Sequence, residues 1–558
     1  MSLFKQFESI SAIRFQLGLK KTVFTHSFLA ATALFLTSCW RETNLPTRIP
    51  TAIPAQDEAG MIATAMLTPL PTPEPTSINI LSPGEYSVID LGQPVEFVIS
   101  ATDPNGIRLV TLTSNGSNIG TFQDVEQNEL NFNQEWTPNY AGTHEIIASV
   151  TSRTGQLTSA EPITIRVVDS QMLAQNAPIW ANVEGNVNEI RGLAALAPIE
   201  PILLTRAELK QRLQADFFYT EEDAQRDVLV MHAFEFLPRD FDLYRLTHRY
   251  LGDSLIGFYD PATKEFVVLS DDKEVNPLEQ WVFAHEFMHA LQDQHFQLSL
   301  ITDTTLSSET NLAIRALAEG EAELVQEIYI EQGFFTQEEL IDIFNLISRT
   351  RQREVPNIPS VIVNSFLFPY TVGRDYAETL YLQNGWEGLN VAWQNLPQST
   401  EHIIHPDRYL AGDLPEIVAL PPLTDTLGIG WTRLEEATLG EFLLREYLGQ
   451  QLDETEVETA ATGWGGDRYA VYWHQDNEEL VMVLRQTWDT PADKDQYEMA
   501  FTKFAGSTYG SQGQTQSDGG TCWQGGDALC FYPSAGQTVT VRAPDLETAA
   551  AVAAVVNE

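Results

Sequence analysis

The chain has 558 residues, more than one ordinary hydrophobic core accommodates, and its length predicts about two to four domains. Asp and Glu number 77 against 32 Lys and Arg, which gives a formal net charge of −45. A chain this acidic repels nucleic acid and anionic lipid surfaces, so the composition excludes nucleic acid as a partner.

Residues 1–39 have the pattern of a lipoprotein signal peptide. Two lysines precede an apolar stretch over about 23–36, which is shorter than a membrane span. The sequence Leu-Thr-Ser-Cys that ends at Cys39 resembles the bacterial lipobox, whose cysteine is lipidated and becomes the mature N-terminus. The alternative is an ordinary secretory signal with an incidental cysteine. Both alternatives predict export, and lipidation predicts a membrane anchor on the periplasmic side or at the cell surface.

Residues 40–77 are rich in Pro, Thr and Ala and show no sustained periodicity. This composition predicts a linker. An extended chain of this length, at about 3 Å per residue, would hold the following domains roughly 100 Å from the bilayer.

Residues 78–169 change to short alternating runs of β-branched residues, such as those at 95–99, 108–112 and 163–168, separated by turns. Their number and spacing predict an all-β sandwich of seven strands. The segment resembles the immunoglobulin-like modules of bacterial surface proteins. A passive spacer and a ligand-binding module are both compatible with this pattern.

Residues 171–420 are mainly helical in pattern, with one strand pair. Two apolar runs at 255–259 and 265–269 flank a turn that contains Asp-Pro, which predicts a β-hairpin. A helix is predicted directly after it, because Asn276 has the features of an N-cap, Pro277 suits the first helical position and Glu279 completes a capping box.

This predicted helix carries the motif HExxH, formed by His285, Glu286 and His289. Histidines four residues apart project from one helix face and can bind one Zn²⁺, while the glutamate can take a proton from a zinc-activated water. The alternative is a pair of core histidines, each satisfied by a hydrogen bond. Because apolar residues surround the motif, three buried titratable groups would be costly without a compensating cation, which favours the metal site.

A second predicted helix offers a third metal ligand. Leu312, Ala316, Glu319 and Glu323 share one helix stripe, so two carboxylates lie on an otherwise apolar face and need a cation. Glu319 is the expected ligand, and Glu323 is expected to bond the second nitrogen of a ligating histidine. The alternative is that this face is solvated.

His295 is a rival third ligand, since its spacing from the motif matches the metzincin peptidases. That family requires glycine where this chain has Gln292, because the backbone turns sharply at that point. If the helix continues instead, His295 lies about 120° away from the face of the two motif histidines. The sequence therefore favours Glu319.

HEFMHALQDQHF followed by ALAEGEAELV resembles the gluzincin metallopeptidases, in particular exported bacterial and archaeal proteins in which an E-G-x-A helix follows the HExxH helix. The resemblance implies a mainly helical α+β zincin-like catalytic domain with one Zn²⁺. It makes His285, His289 and Glu319 the ligands and Glu286 the general base, with Glu323 as the outer acid. It also implies an oxyanion-stabilising His or Tyr, for which Tyr370, His402 and His405 are candidates.

Residues 425–558 mix predicted strands, at 468–472 and 479–484, with predicted helices, at 493–504 and 546–556. The segment is an α+β region, either a separate domain or part of the catalytic unit. Its two cysteines, Cys522 and Cys530, lie in a Gly-rich stretch and are expected to form a disulfide in an oxidising compartment.

These features together predict a membrane-anchored extracytoplasmic zinc metallopeptidase that acts on a protein or peptide substrate. One alternative is an adhesive or scaffolding surface lipoprotein with a vestigial zinc domain, although the intact Glu286 argues against it. The other is a zinc-dependent hydrolase of a non-peptide amide.

Overall fold

The computed structural model describes residues 75–123, 127–216, 219–247, 255–302, 306–351 and 358–557. The predicted signal peptide with Cys39, and the predicted linker up to residue 74, lie outside these ranges.

The described residues form two compact units. The first belongs to 39–175 and 202–217, and the second to 176–201 and 218–558. The second unit contains both the HExxH motif and the C-terminal α+β region, so these two parts of the chain share one compact body.

The first unit is built around a β-sandwich. Its nine strands are β1 (Ser77–Ser82), β2 (Ser87–Asp90), β3 (Val95–Thr102), β4 (Ile107–Ser114), β5 (Ser117–Gln123), β6 (Glu129–Trp136), β7 (Gly142–Ser152), β8 (Leu157–Ser159) and β9 (Ile163–Val168). One sheet has the order β1-β3-β6, and the other has the order β2-β9-β7-β4-β5, with β8 beside β7. The predicted sandwich is confirmed. The predicted count of seven strands is wrong, because β2 and β8 have only 4 and 3 residues, too few to be recognised as strands from a sequence pattern.

The core between the two sheets follows from alternation along the strands. In β3, Phe97, Ile99 and Ala101 are fully buried, while the residues between them lie on the other face. Val110 and Ile146 complete the core from the second sheet. Strands β3, β4 and β7 thus bury one apolar face, as the period of two predicts.

The segment between the sandwich and the C-terminal sheet is mainly helical. Its elements are α1 (Ser170–Arg191), β10 (Pro201–Leu204), α2 (Arg206–Asp216), α3 (Glu221–Ala233), β11 (Gly257–Asp260), β12 (Glu265–Leu269), α4 (Pro277–Phe296), a 3₁₀ helix (Leu298–Thr302), α5 (Ser308–Glu331), α6 (Gln337–Arg351), α7 (Ser360–Asn384), α8 (Trp386–Gln394), α9 (Thr400–Ile404), α10 (Pro406–Ala411) and α11 (Thr424–Leu427). Strands β11 and β12 pair antiparallel, with Gly257 opposite Val268, so the predicted hairpin is confirmed.

Helix α4 begins as its sequence predicts. The Asn276 side chain accepts a hydrogen bond from the Leu278 N–H, and Glu279 accepts one from the Asn276 N–H at 3.2 Å. Pro277 occupies the first turn, where no helical N–H is needed. The helix ends only at Gln297, which has the left-handed conformation at φ 60°. The cap therefore fixes where the helix carrying HExxH starts.

Helices α5 and α7 pack directly against each other through two glycines. A Cβ on Gly320 of α5 would lie 2.0 Å from the carbonyl oxygen of Gly373, and a Cβ on Gly373 would lie 2.2 Å from that of Ala316. Only glycine allows backbones to approach this closely. The contact sets Tyr370 of α7 beside the turn of α5 that carries Glu319.

The C-terminal region contains α12 (Gly440–Gly449), α13 (Glu454–Ala461), α14 (Pro491–Tyr509), α15 (Leu546–Val556), β13 (Trp431–Ala437), β14 (Trp464–His474), β15 (Glu479–Trp488), β16 (Gln514–Thr515), β17 (Thr521–Gln524), β18 (Ala528–Ser534) and β19 (Gln537–Ala543). Its sheet has the order β13-β14-β15-β19-β18-β17-β16, and the strands and helices predicted from the sequence are confirmed. Cys522 and Cys530 lie opposite each other on β17 and β18 and form a disulfide.

The two faces of this sheet bury different partners. Phe234, which follows α3, packs edge-on against Tyr447 and Tyr469, so one face shares its core with the helical segment. The other face packs against α15 through Val552 and Val556. This shared core explains why the C-terminal region and the helical segment form one unit. Across the described ranges, every helix is too short or too polar to span a bilayer.

Candidate metal centre

Helix α4 presents His285 and His289 from one face. Both side chains are buried, with their Nε2 atoms 3.2 Å apart. Glu286 lies beside them and is 4% exposed. The helical spacing of the motif places all three groups together, as the sequence predicts.

Helix α5 brings Glu319 to the same point. Its Oε2 lies 3.2 Å from His285 Nε2 and 3.1 Å from His289 Nε2. One ligand atom from each of the three residues lies within 4.8 Å of the other two, which is close enough to hold a single metal ion. The structure therefore brings together the three residues that the sequence predicts as metal ligands.

His295 lies away from this group. Helix α4 continues through Gln292 to Phe296, and His295 Nε2 contacts the backbone oxygen of Ala194 at 2.8 Å. Without the sharp turn that glycine would permit, the third histidine of the metzincin arrangement does not reach the site.

Glu323 faces the site but does not form the predicted hydrogen bond. Its Oε1 lies 3.8 Å from His285 Nδ1, which is an ion-pair distance and too long for a hydrogen bond. Burial raises the pKa of Glu323 to about 7, while Arg374 interacts with the same carboxylate and favours its charged form. The predicted hydrogen bond is wrong, because the Glu323 carboxylate stays 3.8 Å from His285 Nδ1.

The electrostatics of the group reflect burial and close opposite charges. Burial alone would lower the pKa of His289, but Glu319 beside it raises that pKa to about 9. Burial would raise the pKa of Glu319, yet the two histidines hold it well below its usual value. The ionised Glu319 carboxylate therefore favours positive charge at this point of the structure.

The hairpin packs tightly against Glu286. A Cβ on Gly257 would lie 2.4 Å from Val282 Cγ1 and 3.4 Å from Glu286 Cγ, so the strand approaches α4 at a glycine. The backbone N–H of Tyr259 donates a hydrogen bond to the Glu286 carboxylate and lowers its pKa, although burial raises that pKa more. Strand β11 thus orients the glutamate.

A cleft of about 450 Å³, including its open mouth, reaches His285, His289 and Glu319. Its wall is mainly apolar and aromatic and includes Phe258, Tyr259, Pro261, Leu298, Ile301 and Tyr370. Glu286 and the two motif histidines form the polar end. Such a combination of apolar walls and a few convergent polar groups is typical of a small-molecule or peptide-binding site.

The structure separates the three candidates for an oxyanion-stabilising group. Tyr370 lines the cleft, its ring lies 6.2 Å from that of His285, and its hydroxyl donates a hydrogen bond to Glu319. His402 instead contacts the backbone oxygen of Asp413, and His405 contacts Glu441 at 3.0 Å. Only Tyr370 among these three lies at the site.

Sequence reasoning missed two groups that contact the site. Gln292 Oε1 lies 2.8 Å from His289 Nδ1, and the Tyr259 backbone supports Glu286. The position of Gln292, three residues after His289 on one helix, is a signal that could have identified it. The contact made by Tyr259 depends on the packing of the hairpin and has no local signal.

Two segments of the chain match known domain families. Residues 77–148 match a bacterial Ig domain, and residues 428–553 match a domain described as Domain of unknown function (DUF8575). None of the curated proteins matches the chain. The group at 285, 289 and 319 lies between the two matched segments.

Several solved structures also resemble a small part of the chain. Fibronectin(III)-like modules of Clostridium thermocellum CbhA are 12% identical, with 16% of this chain and 94% of that chain covered and a TM-score of 0.15. A CARDB domain from Pyrococcus furiosus is 17% identical, covering 17% and 89%, with a TM-score of 0.14. The SrpA adhesin of Streptococcus sanguinis is 12% identical, covering 17% and 59%, with a TM-score of 0.13.

The fold and the family match define the general class of the chain. It is a multidomain protein in which a bacterial immunoglobulin-like sandwich precedes mixed α/β regions. Such a module indicates an extracellular or surface protein.

Proposed function

We propose that the protein is a zinc metallopeptidase of the gluzincin type. The convergence of His285 Nε2, His289 Nε2 and Glu319 Oε2 on one point, with Glu286 beside it, carries the proposal. Two imidazoles and one carboxylate are the donor set of many catalytic zinc sites, which keep a further coordination position open.

The buried surroundings fit a cation. Two ring nitrogens and one carboxylate oxygen lie about 3 Å apart at the end of a cleft, and each has a lone pair to donate. Zinc held there would supply Lewis-acid chemistry, lowering the pKa of water and polarising a substrate carbonyl.

Glu286 is the proposed general base. Its carboxylate lines the cleft, and the Tyr259 N–H holds it in place. In this role the carboxylate takes a proton from the attacking water and then delivers it to the departing amine nitrogen. The glutamate ends the cycle ionised, as it began.

Tyr370 is the proposed oxyanion donor. Burial and the neighbouring carboxylates raise the pKa of its hydroxyl, so the hydroxyl remains protonated at neutral pH. A protonated phenol in the cleft can donate a hydrogen bond to the oxygen of a carbonyl under attack. Its position relative to Glu319 depends on the close packing of α5 against α7.

A peptide is the substrate class that the cleft supports best. Strand β11 contributes Gly257, Phe258 and Tyr259 to the cleft and pairs with β12 along its other edge. Within the described chain β11 is the end strand of its sheet, and the end strand of a sheet is where an extended peptide can add by backbone hydrogen bonds. A non-peptide amide would make no use of that edge.

Export and lipid anchoring at Cys39 form the second part of the proposal. The lipobox-like sequence supports it, as does the bacterial immunoglobulin-like module, which would act as a spacer between the membrane and the peptidase. Mass spectrometry of the mature N-terminus tests the anchor. We expect a diacylated cysteine, and an unmodified N-terminal residue would refute lipidation.

Zinc content measured on ligand variants tests the site. We expect one Zn²⁺ per wild-type chain, with zinc and casein cleavage both lost from Glu319→Ala. His295→Ala is the matched control, because His295 lies outside the group, and it should keep both properties. Zinc retained by the Glu319 variant and lost from the His295 variant would overturn the gluzincin assignment.

A further inference from the structure

A buried polar network lies behind His289, on the side of the ring that faces away from Glu319. Gln292 is fully buried, and its Oε1 lies 2.8 Å from His289 Nδ1. Its Nε2 donates to the backbone oxygen of Ala318 and to Glu321 Oε2, both at 2.8 Å. The network therefore links the histidine of α4 to two groups on α5.

The orientation of the Gln292 amide follows from these partners. A carbonyl oxygen and a carboxylate oxygen both accept hydrogen bonds, so the amide NH₂ has to face Ala318 and Glu321. The amide oxygen then faces His289 Nδ1, which has to carry the ring proton. In the neutral ring, which is the form that binds a metal, His289 Nε2 then has the lone pair, and this atom faces His285 and Glu319.

Glu321 is itself held from the opposite side. Arg191 Nε and Trp393 Nε1 donate to its two carboxylate oxygens, and both Glu321 and Arg191 are at most 1% exposed. The Arg191 guanidinium lies over the Trp386 ring at 5.0 Å and also donates to Asn390. These contacts fix the Glu321 carboxylate in place as an acceptor for Gln292.

We infer that Gln292 is a positioning residue for metal binding: held by Glu321, it fixes the tautomer and the ring orientation of His289. This inference rests on the proposed zinc site. Hydrogen-bond partners on the outer nitrogen of a ligating histidine orient the ring and raise its basicity, and their loss typically weakens metal binding about 10- to 100-fold. In the sequence, Gln292 only argues against the metzincin arrangement. In the structure, it contacts His289 directly.

The test measures Zn²⁺ affinity on the purified full chain by competition with a chromophoric chelator, together with the absorption spectrum of the Co²⁺-loaded chain. Gln292→Met keeps the side-chain volume but removes the acceptor. Gln294→Met is the matched control, because Gln294 lies on the same helix and binds backbone atoms of Leu196 and Ala197 instead.

We expect Gln292→Met to raise the Kd for Zn²⁺ about 10- to 100-fold and to change the Co²⁺ spectrum, while Gln294→Met changes neither. Gln292→Asn keeps the donors and the acceptor of the amide but draws the amide back from Nδ1 by one methylene, so its affinity and Co²⁺ spectrum should change in the same direction, even where Gln292→Met fails to fold. Equal affinity and identical spectra for the wild type and all Gln292 variants would overturn the inference and leave the metal site intact. A wild-type chain that binds no Zn²⁺ would overturn the proposed function itself.

Discussion

Replacing Gly320 by alanine should separate α5 from α7 and disturb the site from a distance. The new Cβ would lie 2.0 Å from the Gly373 carbonyl oxygen and 2.8 Å from the Arg374 nitrogen, whereas Cβ contacts under 3.0 Å are essentially never observed. Both obstacles are backbone atoms, so the helices have to move apart by about 1 Å. Overpacking of this kind costs about 1–3 kcal/mol.

Replacing glycine by alanine within a helix also stabilises the helix by about 1 kcal/mol. A control variant has to correct for this stabilisation. Gly185→Ala provides it, because Gly185 lies within α1 with open space around its Cβ position and belongs to the same compact unit. The difference between the two variants in the free energy of unfolding then isolates the helix contact.

We expect Gly320→Ala to be about 1–3 kcal/mol less stable than Gly185→Ala, measured by urea unfolding of the full chain with a fluorescence readout. Casein cleavage should fall as well, because Tyr370 moves relative to Glu319. Equal stabilisation by the two substitutions would refute the packing argument.

Three further predictions concern single contacts. Tyr370→Phe also loses a hydrogen bond to Glu319, so it is assayed at saturating zinc, where its kcat for peptide cleavage should fall about 100-fold, and an unchanged kcat would remove Tyr370 from the mechanism. Glu309 accepts hydrogen bonds from Thr400, and burial raises the pKa of its carboxyl group to about 8. Between pH 4.5 and 8 the folded state therefore holds a proton that the unfolded chain, with its ordinary pKa of 4.5, has released. The free energy of unfolding should therefore fall as pH rises from about 4.5 to 8. In urea titrations Glu309→Gln should show a smaller fall over this pH range, and an equal fall in the variant and the wild type would contradict this argument. Joint replacement of Cys522 and Cys530 by alanine should cost about 2 kcal/mol of stability, since the disulfide closes a short loop, and an unchanged unfolding midpoint would contradict it.

Much of the candidate metal centre could be predicted because its signals are local. The cap at Asn276, the four-residue spacing of the histidines and the carboxylate stripe at Glu319 are properties of single helices. Each depends on helical periodicity, which is visible in the sequence itself. The contact between α4 and α5 at Glu319 could also be predicted, because a buried carboxylate needs a compensating partner.

The remaining features depend on packing between distant segments. Tyr370 could not be separated from His402 by sequence, because only the crossing at Gly320 and Gly373 places α7 against the site. Arg191 reaches Glu321 across 130 positions of the chain, and no local pattern indicates such a pairing. The short strands of the sandwich were missed for a different reason, since 3 or 4 residues carry too little alternation.

Zinc content and casein hydrolysis, measured side by side on the purified chain and on Glu286→Gln, test the central claim most directly. We expect one Zn²⁺ in each protein, since Glu286 is not among the three ligands, and hydrolysis by the wild type alone. Equal hydrolysis by both proteins, or zinc in both with hydrolysis by neither, would contradict a peptidase that uses Glu286 as its general base.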